Sequence, residues 1–176
     1  EVLADNILFQ CNKLGIIGKN IINEQRRSNA KKIVNKYSWI TCGVIVMTPL
    51  PGIDLIASST VNFQMIIEIS KIYGVKLNKS EASKLSKSII KTLATLGVVR
   101  GGTSLISNIL SLNYPTIFIS KFTQSITAAW IINIAGLSFI KYFEQNQEWG
   151  DGGIQEVVQN LYRINKREEY LKKFLT

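Results

Sequence analysis

The nearest approach to a chemical motif in this sequence is Gly15-Ile-Ile-Gly18-Lys19-Asn20, a glycine-lysine pair of the kind that cradles phosphate. A phosphate loop needs its first glycine five residues before Gly18, where Lys13 stands, and a hydroxyl side chain in place of Asn20. No nucleotide site is read there. The chain has no histidine, and Cys11 and Cys42 have no short-spaced metal-ligating partner, which removes zinc sites and histidine-based acyl-transfer machinery. Glu144, Glu148 and Asp151 are too isolated for metal or acid/base work. Asp54, behind two prolines in an apolar stretch, is weighed as a buried acid or a partner for Arg100, and reads better as a helix cap. The expectation is a segment with no catalytic, cofactor-binding or metal-binding residue. Two unpaired cysteines point to a reducing, cytosolic context, and no signal peptide is read at the start.

What remains is charge beside apolar surface. Twenty-one basic residues stand against 12 acidic ones, a net charge of +9, in a chain that is 46% hydrophobic. The excess is concentrated: residues 1–38 hold seven basic and three acidic side chains, net +4, and residues 71–91 hold six and one, net +5. In the first block Arg26, Arg27, Lys31, Lys32 and Lys36 lead into Trp39. A basic run followed by an interfacial aromatic is the chemistry of an anionic membrane surface, each charge contributing about 1 kcal/mol near the lipid. These six residues are the membrane-surface candidates. The second block reads as lysines solvating helix faces. Nucleic acid is not expected as a partner, because arginines number five and no helix carries a base-reading set.

The elements that must position these residues are helices. Strand-type alternation is nearly absent, and the sequence predicts an all-α bundle of about six or seven helices in one domain of residues 1–176. Residues 1–36 read as an amphipathic basic helix, with Ile7, Cys11, Leu14, Gly18 and Ile21 forming a seam that needs a partner surface. Residues 37–145 read as an apolar helical core. Within it Pro49, Pro51, Gly52 and Asp54 mark a Pro-x-Pro-Gly hinge, and Gly74 marks a helix stop. Asn78 and Glu81 form a capping box for a helix ending near Gly101-Gly102. Gly97 and Gly101 are spaced for close helix contact, and Pro115 starts a new helix. Residues 151–176 read as an amphipathic C-terminal cover with Asp151 as a cap.

Spanning is a matter of length. Trp39 to Thr48 is ten residues, about 15 Å, half of the roughly 30 Å hydrocarbon layer. Phe122 to Ile140 is uncharged for 19 residues, about 28 Å, and is marginal; Gln124 and Asn133 weaken it, and a helix buried inside a protein core explains it equally well.

The run Thr48-Pro-Leu-Pro-Gly-Ile-Asp54, with Gln64-Met65, Ile72-Tyr73-Gly74-Val75 and Ser138-Phe139-Ile140-Lys141-Tyr142-Phe143, resembles the YcjF-like family, domain of unknown function 697. Trp149-Gly-Asp-Gly-Gly and Ala4-Asp5-Asn6-Ile7-Leu8 resemble its cyanobacterial branch. The resemblance implies fusion behind a small GTP-binding domain, so that this segment is the C-terminal part of a longer chain and GTP belongs to an upstream domain. It also implies an inner-membrane or thylakoid-membrane setting on the cytoplasmic side, peripheral or partly embedded. No site residue is carried over from it. The expected function is a non-catalytic membrane-associated module that docks or regulates an upstream GTPase. The alternative is a soluble interaction domain without membrane contact, which forms a homo-oligomer or packs against its own GTPase through the Ile7–Ile21 seam.

Overall fold

A computed structural model describes residues 2–47, 60–96, 114–165 and 169–170. Its longest element, α1, runs unbroken from Val2 to Met47. The sequence reading put a boundary at residue 37, but no proline or polar turn interrupts the chain there. The intervening glycines weaken a helix by only about 1 kcal/mol each. Basic run and aromatic segment therefore share one rod of 46 residues, about 69 Å long.

Four further helices follow: α2 (Thr60–Ile72), α3 (Lys79–Thr95), α4 (Tyr114–Glu144) and α5 (Gly153–Ile164). The described residues are thus all helical, in five helices rather than six or seven. The hinge residues Pro49, Pro51, Gly52 and Asp54, and the contact glycines Gly97 and Gly101, lie outside the described residues.

Local chemistry explains most boundaries. At the end of α2 the Gly74 backbone adopts φ +76°, while the Val75 N–H reaches the Ser70 carbonyl at 2.9 Å and the Gly74 N–H reaches that of Lys71 at 3.1 Å. This is the double bond of a left-handed helix stop. Asn78 and Glu81 make both reciprocal bonds of the capping box, each 2.9 Å. Pro115 falls in the first turn of α4, where its missing N–H leaves nothing unpaired. Two expectations are corrected. Helix α3 stops at Thr95, short of Gly101-Gly102, and α5 is capped by Gly152 without any side-chain bond, so Asp151 is not its cap.

Helix α4 is the core. From Ser125 to Ile140 its side chains are buried apart from the partly covered Leu137, and α1, α2, α3 and α5 all pack against it. Ala30, Val34 and Tyr37 of α1 meet Ala128, Ala135 and Phe139 of α4 in one cluster with Met65, Ile66 and Ile69 of α2. The helices come close at Gly136, where an added Cβ would lie 2.6 Å from a Val34 methyl. Close contact through glycine is thus made by Gly136, among the described residues. Val158, fully buried, and Ile154 and Leu161 hold α5 as a cover. The Trp130 indole N–H donates to the Asn165 carbonyl at 2.8 Å and fastens its end.

Candidate functional site

The basic run occupies the middle of α1, and tertiary contacts divide it. Arg27 donates from Nε to Glu144 Oε1 and from Nη2 to Oε2, both at 2.6 Å, a two-pronged pair across 117 residues of sequence. Tyr73 adds its hydroxyl to the same carboxylate at 3.3 Å. Lys36 Nζ lies 3.2 and 3.1 Å from the two oxygens of Glu68, which also accepts from the Tyr37 hydroxyl at 2.7 Å. Its ammonium sits 5.0 Å from the Tyr37 ring centre as well. Two of the five cations are therefore committed inside the molecule. They clamp α1 to α4 and to α2.

Protonation follows from these partners. The hydrogen bond and charge of Glu144 raise Arg27 further above its ordinary value. Burial pushes Tyr37 upward from the usual phenol range, and the bond to Glu68 adds to it. Burial also pushes Glu68 upward, but the bonds from Tyr37 and Lys36 and the lysine charge outweigh it and hold the carboxyl below its usual range. Burial and the Glu144 charge raise Tyr73. These groups are fixed in their charge states across neutral pH. None is poised for acid/base chemistry.

Lys31, Lys32 and Arg26 make no ion pair among the described residues, and both lysines are exposed. Trp39 is 58% exposed and Ile40 39%. Buried residues Ala30, Val34, Tyr37 and Ser38 occupy the opposite side of the helix, against α4 and α2. Lys32, Lys36 and Trp39 sit at four- and three-residue spacing and so share the outward face. The lysines of the 71–91 block are exposed around α3, as a solvated face requires.

Glu68, Glu144, Tyr37 and Tyr73 are the participants that sequence reasoning missed. Each is unremarkable in its own stretch, and the pairing spans 31 to 117 residues. Among the described residues no cluster of His, Cys, Asp and Glu could hold a metal, and the free thiols are an exposed Cys11 and a buried Cys42 that lies 3.4 Å from the Ser125 hydroxyl. Among the described residues one stretch is long and apolar enough to cross a membrane, Ser125–Glu144, and 83% of its apolar window is buried inside the protein. The burial is what a core helix requires.

Fold and surface together define an all-helical module with a basic and aromatic outward face and no assembled reactive centre among its described residues. Residues 9–167 match the family described as Domain of unknown function (DUF697), and the chain belongs to it. Among curated proteins it is 30% identical over 78 residues to a UPF0283 membrane protein of Vibrio campbellii, covering 44% of this chain and 22% of that one. It is 27% identical over 78 residues to a UPF0283 membrane protein of Vibrio parahaemolyticus, with the same coverage. A UPF0283 membrane protein of Photobacterium profundum is 29% identical over 84 residues, 48% of this chain and 24% of the relative. The chain thus spans about a quarter or less of the length of these relatives. No solved structure matches.

Proposed function

We propose that this chain is a non-catalytic, membrane-associated module that sits on the cytoplasmic face of a bilayer and serves an upstream GTP-binding domain of the same protein. The observation that carries the membrane part is the outward face of α1, where exposed Lys32 shares a side with an exposed Trp39 and Ile40, with exposed Lys31 on the flank. Anionic headgroups attract the lysines, and the indole and isoleucine enter the boundary below them. The names of the Vibrio relatives agree with a membrane setting. Burial of Ser125–Glu144 within the bundle favours a surface-bound over a spanning mode. The GTPase link rests on the resemblance at the Pro-x-Pro-Gly run, and any GTP chemistry would belong upstream.

Vesicle flotation tests it. The chain should float with phosphatidylglycerol-containing vesicles at low salt and stay behind with neutral ones. Lys31→Ala with Lys32→Ala should weaken binding by about 2 kcal/mol, roughly thirtyfold. A chain that stays unbound on anionic vesicles at low salt overturns the membrane reading. The GTPase link falls if the parent sequence holds no strand followed by GxxxxGK[ST].

A further inference from the structure

The first half of α1 presents its apolar side away from the protein body. Residues 3–25 are exposed apart from the partly covered Gly18, and Leu3, Ile7, Leu8, Leu14, Ile21 and Ile22 are each more than half exposed. An α-helix returns to the same direction after 18 residues, five full turns. Along α1 that rule sets Asn12 above buried Ala30, Lys19 above buried Tyr37, Asn20 above buried Ser38 and Asn23 above buried Thr41. It sets Leu14 above exposed Lys32, Ile21 above exposed Trp39 and Ile22 above exposed Ile40. The apolar face thus changes sides between the arm and the body. Of the aligned positions Ile16, above Val34, departs from the pattern, and Phe9 joins it on the polar side.

The described bundle covers the other side of α1 and does not reach the arm's apolar stripe. The stripe's width identifies what can. A two-stranded coiled coil needs a narrow seam with polar flanks, whereas here the flanking Leu8, Ile17 and Ile22 are apolar too, so that about half the circumference is apolar. Asp5, Lys13, Lys19 and Glu24 all lie on the other half. A half-apolar helix suits a flat partner better than a second cylinder. On the same outward face the stripe continues into Lys32, Trp39 and Ile40, the residue types of a headgroup layer and the boundary below it. Parallel pairing of two copies along this face would instead bring their lysines together.

We propose that the stripe from Leu3 to Ile22 lies in the surface of an anionic bilayer, with α1 flat on the lipid from the arm to Ile40 and the helical bundle riding on its back. This rests on the membrane reading above and adds a second, apolar contact to it, more extensive than the lysine and tryptophan patch. It also gives that patch an orientation, because the polar side of the arm and the body share the water side.

The test uses the whole chain. Ile7→Gln, Leu14→Gln and Ile21→Gln combined should lower partitioning onto phosphatidylglycerol-containing vesicles by about a hundredfold or more, since each exchange removes most of one apolar side chain's transfer. The thermal melt should not move, because these side chains touch no core. Cys11, the exposed thiol and part of the stripe, takes an environment-sensitive fluorophore while Cys42 is spared by burial. Its emission should shift blue and brighten when anionic vesicles are added. If the parent chain binds no vesicle, the membrane reading and this inference fall together. If it binds and the triple variant binds equally well, or the Cys11 label stays in water, the arm's role is overturned while the membrane reading stands. If light scattering finds a dimer that the triple variant dissolves with vesicle binding unchanged, the stripe belongs to a second copy and the inference is equally overturned.

Discussion

Replacing Gly136 with alanine sets two effects of known size against each other. Alanine favours a helix over glycine by about 1 kcal/mol, so the exchange stabilises α4 wherever there is room. Here there is none. The new Cβ would lie 2.6 Å and 2.7 Å from the two methyl carbons of Val34 and 3.1 Å from its Cβ. Valine is stiff at χ1, and with both methyls overrun no staggered rotamer clears the contact. Helices α1 and α4 must then separate, and overpacking of a tight core typically costs about 1–3 kcal/mol. With two methyls involved the upper half of that range applies, leaving a net loss of about 1–2 kcal/mol. In a domain of this length that lowers the melting temperature by about 2–8 °C. Urea and thermal unfolding followed by circular dichroism read it directly. In a Val34→Ala background, itself destabilised by the lost methyls, the same exchange should turn stabilising by up to about 1 kcal/mol. A rise in stability on Gly136→Ala in the parent chain refutes the close crossing of α1 and α4.

Three further outcomes follow from the same contacts. Arg27→Ala and Glu144→Ala should each lower stability by about 1–2 kcal/mol, discounted because the Arg27 side chain is 53% exposed, and a double-mutant cycle should return a coupling near 1 kcal/mol; coupling indistinguishable from zero removes the clamp. Stability should form a plateau between about pH 5 and pH 9 in urea titrations. On the acid side the lowered Glu68 contributes stability that is present above its unfolded value and lost as pH falls, an effect that Glu68→Gln should flatten. On the alkaline side the raised Tyr37 and Tyr73 contribute stability that is present below about pH 10 and lost above it, and the two Tyr→Phe variants should flatten that limb. Asn78→Ala should cost about 1 kcal/mol and Asn78→Gly a few tenths, since the cap bond to Glu81 is lost in both but glycine tolerates the cap backbone better; equal losses would point away from capping.

The two clamps change how the basic run is to be understood. Counted along the chain, Arg26 to Lys36 supply five like charges, and spacing alone makes all five equivalent to a lipid surface. Folding assigns Arg27 to Glu144 and Lys36 to Glu68. Arg26, Lys31 and Lys32 are left without an ion pair among the described residues, and the two exposed lysines are the pair to substitute first in the vesicle assay. The same packing covers Ser125–Glu144, which spends most of its surface on α1, α2, α3 and α5.

The sequence alone determined features that depend on a few neighbouring residues. The all-helical class, the glycine stop at Gly74, the capping box of Asn78 and Glu81 and the first turn of α4 at Pro115 are set by backbone geometry and hydrogen bonds over one turn. The apolar seam of Ile7 to Ile21 was also legible, since helical periodicity is local. Tertiary structure decided what that stripe faces, because its direction has meaning only once Ala30, Val34 and Tyr37 are seated against α4. It decided which cations remain available, as pairing across up to 117 residues leaves no trace in spacing. It also put the close helix crossing at Gly136, whose need for hydrogen in place of a side chain comes from Val34, a hundred and two positions earlier in the chain.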